Sequence, residues 1–142
     1  MAGERTEIRK PLPEITPVNQ AFWEGAKAGK LLMQKCADCG AWIFCPRPIC
    51  VDCNSDKLQW VSLSGRGTIF SFTVIREVVG QALRGFAPDI PYVTAWIDLE
   101  EGPRFCSNVI GCPVEDVHIG MPVEVVFEDT GHGVTLPKFK PA

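Results

Sequence analysis

The sequence predicts a mainly β protein with one N-terminal helix, a small cysteine-bearing ribbon and a five-stranded barrel. Three observations predict it. Two C-x2-C pairs, Cys36/Cys39 and Cys50/Cys53, stand ten residues apart. Apolar residues at helical spacing form one clear stripe, and it precedes them. After residue 65 the chain becomes a series of short β-branched and aromatic runs, punctuated by glycine and proline.

Composition bounds the answer. The chain has 142 residues, 46% of them hydrophobic and 22% charged, enough apolar material for a packed core. No apolar run nears the ~18 residues of a membrane span. Residues 1–10 are charged and carry no apolar segment, so a secretory signal is not expected and a cytoplasmic location is. Seven cysteines in that setting point to reduced thiols or metal ligands rather than disulfides. Charge is uneven. Residues 1–71 carry nine basic and seven acidic side chains, residues 72–142 five and ten. A nucleic-acid binder needs a basic stripe, and the second half has none.

The segments follow in order. Residues 1–15, with Pro11 and Pro13, read as an arm that is disordered or laid across a partner. Thr16-Pro17 opens a helix of about 12 residues, with Thr as cap and Pro in the first turn. Val18, Ala21, Phe22 and Ala26 make its apolar face, Trp23 widens it, Gly25 weakens it and Gly29 ends it. So short a helix is marginal alone and needs a surface, in this chain or on another protein. Strands are expected at 31–35, 42–44 and 58–61, with the cysteine turns between them. Five more are expected at 68–75, 92–99, 104–110, 122–127 and 133–139. A long irregular loop is expected over 76–91 and a helical turn within 113–120. Five short strands with that loop and turn fit a Greek-key barrel of the OB type. The boundaries expected are 1–30 for arm and helix, 31–63 for the ribbon and 64–142 for the barrel.

The cysteine pairs carry the chemistry. Two intervening residues let one turn aim both sulfurs at a point. The residue after the second cysteine often needs positive φ, and Gly40 and Asn54 tolerate it best. Cys36, Cys39, Cys50 and Cys53 thus suit a tetrahedral S4 site for one structural Zn²⁺, with no position open to water. The same ligands would serve iron in an electron-transfer site. Lys35, Arg47 and Lys57 stand near enough in sequence to offset the thiolate charge. Cys45 reads as a spare thiol, and Cys106 and Cys112 as buried structural cysteines. Neither His118 nor His132 can be placed beside a thiol, and His132 between two glycines reads as a hairpin tip. Asp98, Glu100 and Glu101 read as a solvated turn. The loop 78–92 places apolar Leu83, Phe86 and Ile90 beside Arg84 in a Gly- and Pro-rich segment, as a partner- or ligand-facing loop or a flap over the barrel mouth.

The motifs FWEGAKAGKLLMQKC, CADCGAWIFCPRPICVDC, GRGTIFSFTV, PYVTAWIDLEEGPRFCSNVIG and IGMPVEVVFED, in this order, resemble the DUF35 family of acyl-CoA-associated proteins. The resemblance spans about residues 12–141. Cys45 departs from it, where proline is expected. It implies a helix and rubredoxin-like zinc ribbon followed by an OB fold. It also implies a non-catalytic accessory subunit of a thiolase-type complex, with a hydratase as the alternative partner. The ribbon and helix would dock on the catalytic subunit, through Phe22, Trp23, Trp42 and Phe44. The barrel would help enclose the acyl-CoA, with Arg84 and Phe86 near the CoA ester. A single-stranded nucleic-acid binder is the rival from a different class, since OB folds and ribbons both serve there.

Overall fold

The computed structural model describes residues 9–142. Residues 1–8 of the expected arm lie outside them. The remaining arm residues lie on this chain's own surface. Lys10 pairs with Asp89, and its ammonium stands 5.7 Å from the centre of the Phe86 ring. The arm backbone passes so close to Gly85 that a Cβ there would meet Lys10 N at 2.5 Å.

Helix α1 spans Gln20–Lys27, shorter than expected, because residues 17–19 form a turn that leads into it. Thr16 and Asn19 cap that turn reciprocally. The Asn19 amide donates to Thr16 Oγ1 at 3.4 Å, and the Thr16 amide donates to Asn19 Oδ1 at 2.7 Å. Gly29, at φ 76°, ends the helix as expected. Gly25 has a purpose that propensity hides. A Cβ there would meet Leu32 Cδ1 at 2.6 Å, so glycine lets α1 lie directly on the first strand.

The ribbon is a three-stranded antiparallel sheet, in the order β2-β1-β3, of β1 (Leu31–Cys36), β2 (Trp42–Ile43) and β3 (Leu58–Leu63). The barrel follows: β4 (Arg66–Ile75), β5 (Tyr92–Leu99), β6 (Arg104–Val109), β7 (Pro122–Asp129) and β8 (Thr135–Pro141). It closes in the order β4-β5-β6-β8-β7, with β7 returning to β4. A three-strand meander, one parallel pair between β6 and β8, and closure through β7 is the OB arrangement. Alternation sets the inside. Val93, Ala95, Ile97 and Leu99 of β5 are buried, while Thr94, Trp96 and Asp98 face out. A bulge between Ile69 and Ser71 bends β4, which pairs with β5 from Gly67 to Ile75 and, on its other edge, with β7 over Arg66–Thr68. Residue 70 occupies the bulge, and the Arg104 guanidinium lies 3.4 Å from the centre of the half-exposed Phe70 ring.

The expected irregular loop holds a 3-10 helix at Gln81–Asp89, and a second 3-10 turn spans Val114–Asp116. Helix, ribbon base and barrel share one core. Phe22, Leu31, Met33 and Leu63 join the buried barrel residues in a single cluster. No described helix is long and apolar enough to cross a membrane.

Candidate metal centre and aromatic groove

The two cysteine turns are built alike. Cys36 lies at the end of β1, and the Gly40 amide donates to its carbonyl at 3.0 Å, while the Cys36 amide donates to Ala41 O at 2.9 Å. In the second turn the Asn54 amide donates to Cys50 O at 3.0 Å and the Cys50 amide to Ser55 O at 2.8 Å. Both turns need a left-handed residue to come round, and Gly40 (φ 76°) and Asn54 (φ 61°) supply it. Ser55 Oγ donates to Asp38, which ties one turn to the other.

The four sulfurs lie within 4.8 Å of one another, and the Cys36–Cys53 and Cys39–Cys50 pairs are each 3.6 Å apart. A tetrahedron with Zn–S of about 2.3 Å has S–S edges of about 3.8 Å. The sequence-derived ligand set therefore converges on a point that fits Zn²⁺. Cys36 and Cys50 are buried while Cys39 and Cys53 are exposed, so the centre sits at the ribbon tip. The thiols differ in acidity. The Cys39 amide, donating to its sulfur, chiefly holds Cys36 down to about 7. At Cys53 the Ser55 amide pulls the same way, but desolvation and the neighbouring sulfurs outweigh it and push the thiol up to about 12. Zinc would offset two of the four thiolate charges and complete the ribbon's tip. That tip has only Cys36, Ile43 and Cys50 as buried apolar residues, with Ala41 and Leu58 partly buried against them.

The expected docking aromatics divide. Phe22 is 7% exposed and stacks on Phe105 of β6 at 6.2 Å, edge-on to Trp23 at 4.9 Å. It serves the chain's own core. Phe44, 36% exposed, packs on Phe105 from the ribbon side at 4.6 Å. Trp42 is half-buried with the Lys35 ammonium 4.8 Å from its ring centre. Trp23 is also half-buried, its indole N–H enclosed without an acceptor. Phe22, Trp23, Phe44 and Phe105, with Pro137 of β8, wall an apolar groove of about 370 Å³. A larger groove of about 1040 Å³ runs on from it past Tyr92 to the arm, and the two share Ser107, Asn108, Leu136 and Lys138. Both open where β6 and β8 part, since those strands pair only at Val109 and Phe139.

Phe86 is half-buried, 6.0 Å from the Tyr92 ring and beneath Lys10, so it has a local partner that sequence did not suggest. Arg84 is exposed on the same 3-10 helix. The acidic turn is more engaged than a solvated tip. Arg104 Nε donates to Asp98 at 2.7 Å, Arg66 Nε to Glu100 at 3.0 Å, and the Ser64 amide to Glu101 at 2.7 Å. The β5–β6 hairpin thereby clamps the crossing from ribbon to barrel. The Arg66 side chain, which donates to Glu100, chiefly holds that carboxyl below the usual range. Cys106 and Cys112 are half-buried, a correction to the expectation of burial, because both stand beside the grooves. His132 does occupy the β7–β8 hairpin tip, where its amide donates to Thr130 Oγ1 at 3.3 Å. His118 Nδ1 lies 2.9 Å from Asp116 O.

Residues 23–59 match the family described as the ChsH2 rubredoxin-like zinc ribbon domain, and residues 60–128 match the ChsH2 C-terminal OB-fold domain. A DUF35 domain-containing scaffold protein of Methanocaldococcus jannaschii is 38% identical over 118 residues, 78% of this chain and 81% of that one. This chain belongs to the DUF35 family. A solved structure described as an Ltp2-ChsH2(DUF35) aldolase superposes with a TM-score of 0.78 at 32% identity, covering 92% of this DUF35 chain and 98% of its own. A probable enoyl-CoA hydratase alpha subunit of Thermomonospora curvata is 32% identical over 98% of this chain, which spans only 42% of that relative's length. The benzoylsuccinyl-CoA thiolase subunit BbsA of Geobacter metallireducens is 34% identical over 78% of this chain and 75% of its own. Two of these relatives are named as subunits of enzymes that act on CoA esters, an enoyl-CoA hydratase and a benzoylsuccinyl-CoA thiolase.

Proposed function

We propose that this DUF35 chain is a non-catalytic accessory subunit of a thiolase-type acyl-CoA complex, carrying one structural zinc. The partner's own nucleophile performs the acyl transfer, and this chain stabilises the partner and helps to enclose its substrate. The observation that carries the reading is the match in extent to BbsA, a thiolase subunit by name, which runs through three quarters of both chains. The aromatic groove supports it. Phe44 and Trp23 present apolar surface between helix, ribbon and barrel, and Trp42, half-buried on the ribbon beneath Lys35, is the third ring offered to the partner. Phe22 supports the groove from beneath. Arg84, exposed beside Phe86, offers a cation for the phosphates of a CoA ester. The S4 centre has all four positions taken by sulfur, which suits a structural role.

Hydratase alpha-subunit relatives favour a second reading, in which the partner hydrates an enoyl-CoA instead. A phosphate backbone is disfavoured as a ligand, since residues 66–142 carry six basic and ten acidic side chains. The test is a tagged chain recovered from its native host, with its companions identified by mass spectrometry. Recovery of a thiolase-type subunit supports the proposal, a hydratase supports the second reading, and neither overturns both. Metal analysis separates zinc from iron.

A further inference from the structure

Four cysteines hold the metal centre and three stand outside it. Two of those three line one groove. Cys45 follows the ribbon strand β2 and Cys106 lies on β6, yet both line the same apolar groove. The residues just before them are in ring contact, since the Phe44 and Phe105 centroids are 4.6 Å apart. Both thiols are free, Cys45 exposed and Cys106 half-buried. Their proximity is felt electrostatically: burial pushes the Cys106 thiol up, and the charge of Cys45 adds to it. Cys112 differs, since it lines the larger groove and it is Asp116 that reinforces the effect of burial on its thiol.

We propose that Cys45 and Cys106 form an oxidisable pair whose disulfide ties the ribbon to the barrel across the groove. The oxidant is a peroxide. The exposed Cys45 thiolate attacks a peroxide oxygen, the O–O bond breaks, and the products are a Cys45 sulfenic acid and hydroxide. The Cys106 sulfur then attacks the Cys45 sulfur, the S–O bond breaks, and the Cys106 proton leaves with that oxygen as water. Hydroxide takes up a proton to give the second water. Two thiols are oxidised to one disulfide as one hydrogen peroxide is reduced. The bond joins a short ribbon loop, held from behind at Arg47, to a barrel strand. It narrows the groove that Trp23 and Phe44 line, so the oxidation state sets how much apolar surface the chain presents.

The experiment treats the zinc-loaded full-length chain with hydrogen peroxide in modest excess and maps its peptides without reduction. The expected result is a Cys45–Cys106 linked peptide, lighter by two hydrogens than its parts, with zinc retained and thiols restored by dithiothreitol. C45S and C106S each abolish the link, and in C106S the Cys45 sulfenic acid persists long enough for capture by dimedone. Both variants are checked for zinc content against the parent, and one that has lost zinc is replaced by the alanine variant. Cross-links confined to Cys36, Cys39, Cys50 and Cys53, with loss of zinc, overturn the proposal. So does Cys45 oxidised to sulfinic acid beside a free Cys106 thiol.

Discussion

Gln34 holds the backbone of Arg47 by both ends of its side-chain amide. Nε2 donates to Arg47 O at 2.9 Å, and the Arg47 amide donates to Oε1 at 2.8 Å. Gln34 is 5% exposed, so the pair behaves as an added strand contact made by a side chain. It fixes the loop that carries Phe44 and Cys45 between β2 and the second cysteine turn.

Replacing Gln34 by Leu leaves both Arg47 backbone groups short of a partner. The cost expected is about 1–3 kcal/mol. Urea unfolding of the zinc-loaded protein measures it. The Gln34→Glu variant keeps the acceptor but, when ionised, sets a buried carboxylate against the Arg47 carbonyl, and should be destabilised at neutral pH and regain stability as the carboxyl is protonated. An unchanged midpoint in Gln34→Leu would show that the loop needs no such support.

Zinc binding should depend on pH with a definite sign. Metal must displace protons from the thiols. Cys53, at about 12 without metal, keeps its proton throughout the neutral range, and Cys36, at about 7, regains its own as the solution acidifies. Apparent affinity therefore rises with pH and falls more steeply below about 7. Competition with a chelator from about pH 8 down to 6 should show at least a tenfold loss per unit. An affinity flat over that range would contradict the ligand set.

Gly85→Ala should release the arm without harming the barrel. Its Cβ would stand 2.5 Å from Lys10 N and 2.7 Å from Arg9 C, both backbone atoms that cannot step aside singly. Limited trypsin digestion reads the outcome as faster cleavage after Arg9, with a thermal midpoint close to the parent's. Lys10→Ala, which loses the Asp89 pair and the Phe86 contact, should loosen the arm in the same direction.

Phe105 is the joint between helix, ribbon and barrel, with Phe22, Phe44 and Phe139 all within 6.2 Å of its ring centre. Phe105→Ala should cost about 3–5 kcal/mol. Phe44→Ala should cost less, because it is partly exposed, and the two losses should not add. Additive losses in denaturant unfolding would mean the rings do not act together.

Much of this architecture was legible in the residues. The ligand set followed from spacing and from Gly40 and Asn54, since the turn geometry is local. The barrel strands followed from alternation, clearest in 92–99. Other features left little local trace. Gly25 reads as a helix weakness until Leu32 is found against it. Gln34 reads as one polar residue in an apolar strand, and its partner lies 13 positions away. The arm reads as disordered or laid across a partner until Gly85 of this same chain is found beneath residues 9 and 10.

The sequence by itself therefore determined the four-cysteine cluster, the strand order along the chain and the family, because each rests on short-range stereochemistry or on an ordered set of motifs. Only the tertiary structure decided that Phe22 is buried in the chain's own core while Phe44 is partly exposed beside a groove, and that Cys45 and Cys106 line that same groove. The physical reason is closure of the barrel. It brings β6 and β8 side by side at one residue pair and parts them beyond it, so that ribbon, helix and barrel meet around an opening that no stretch of sequence contains.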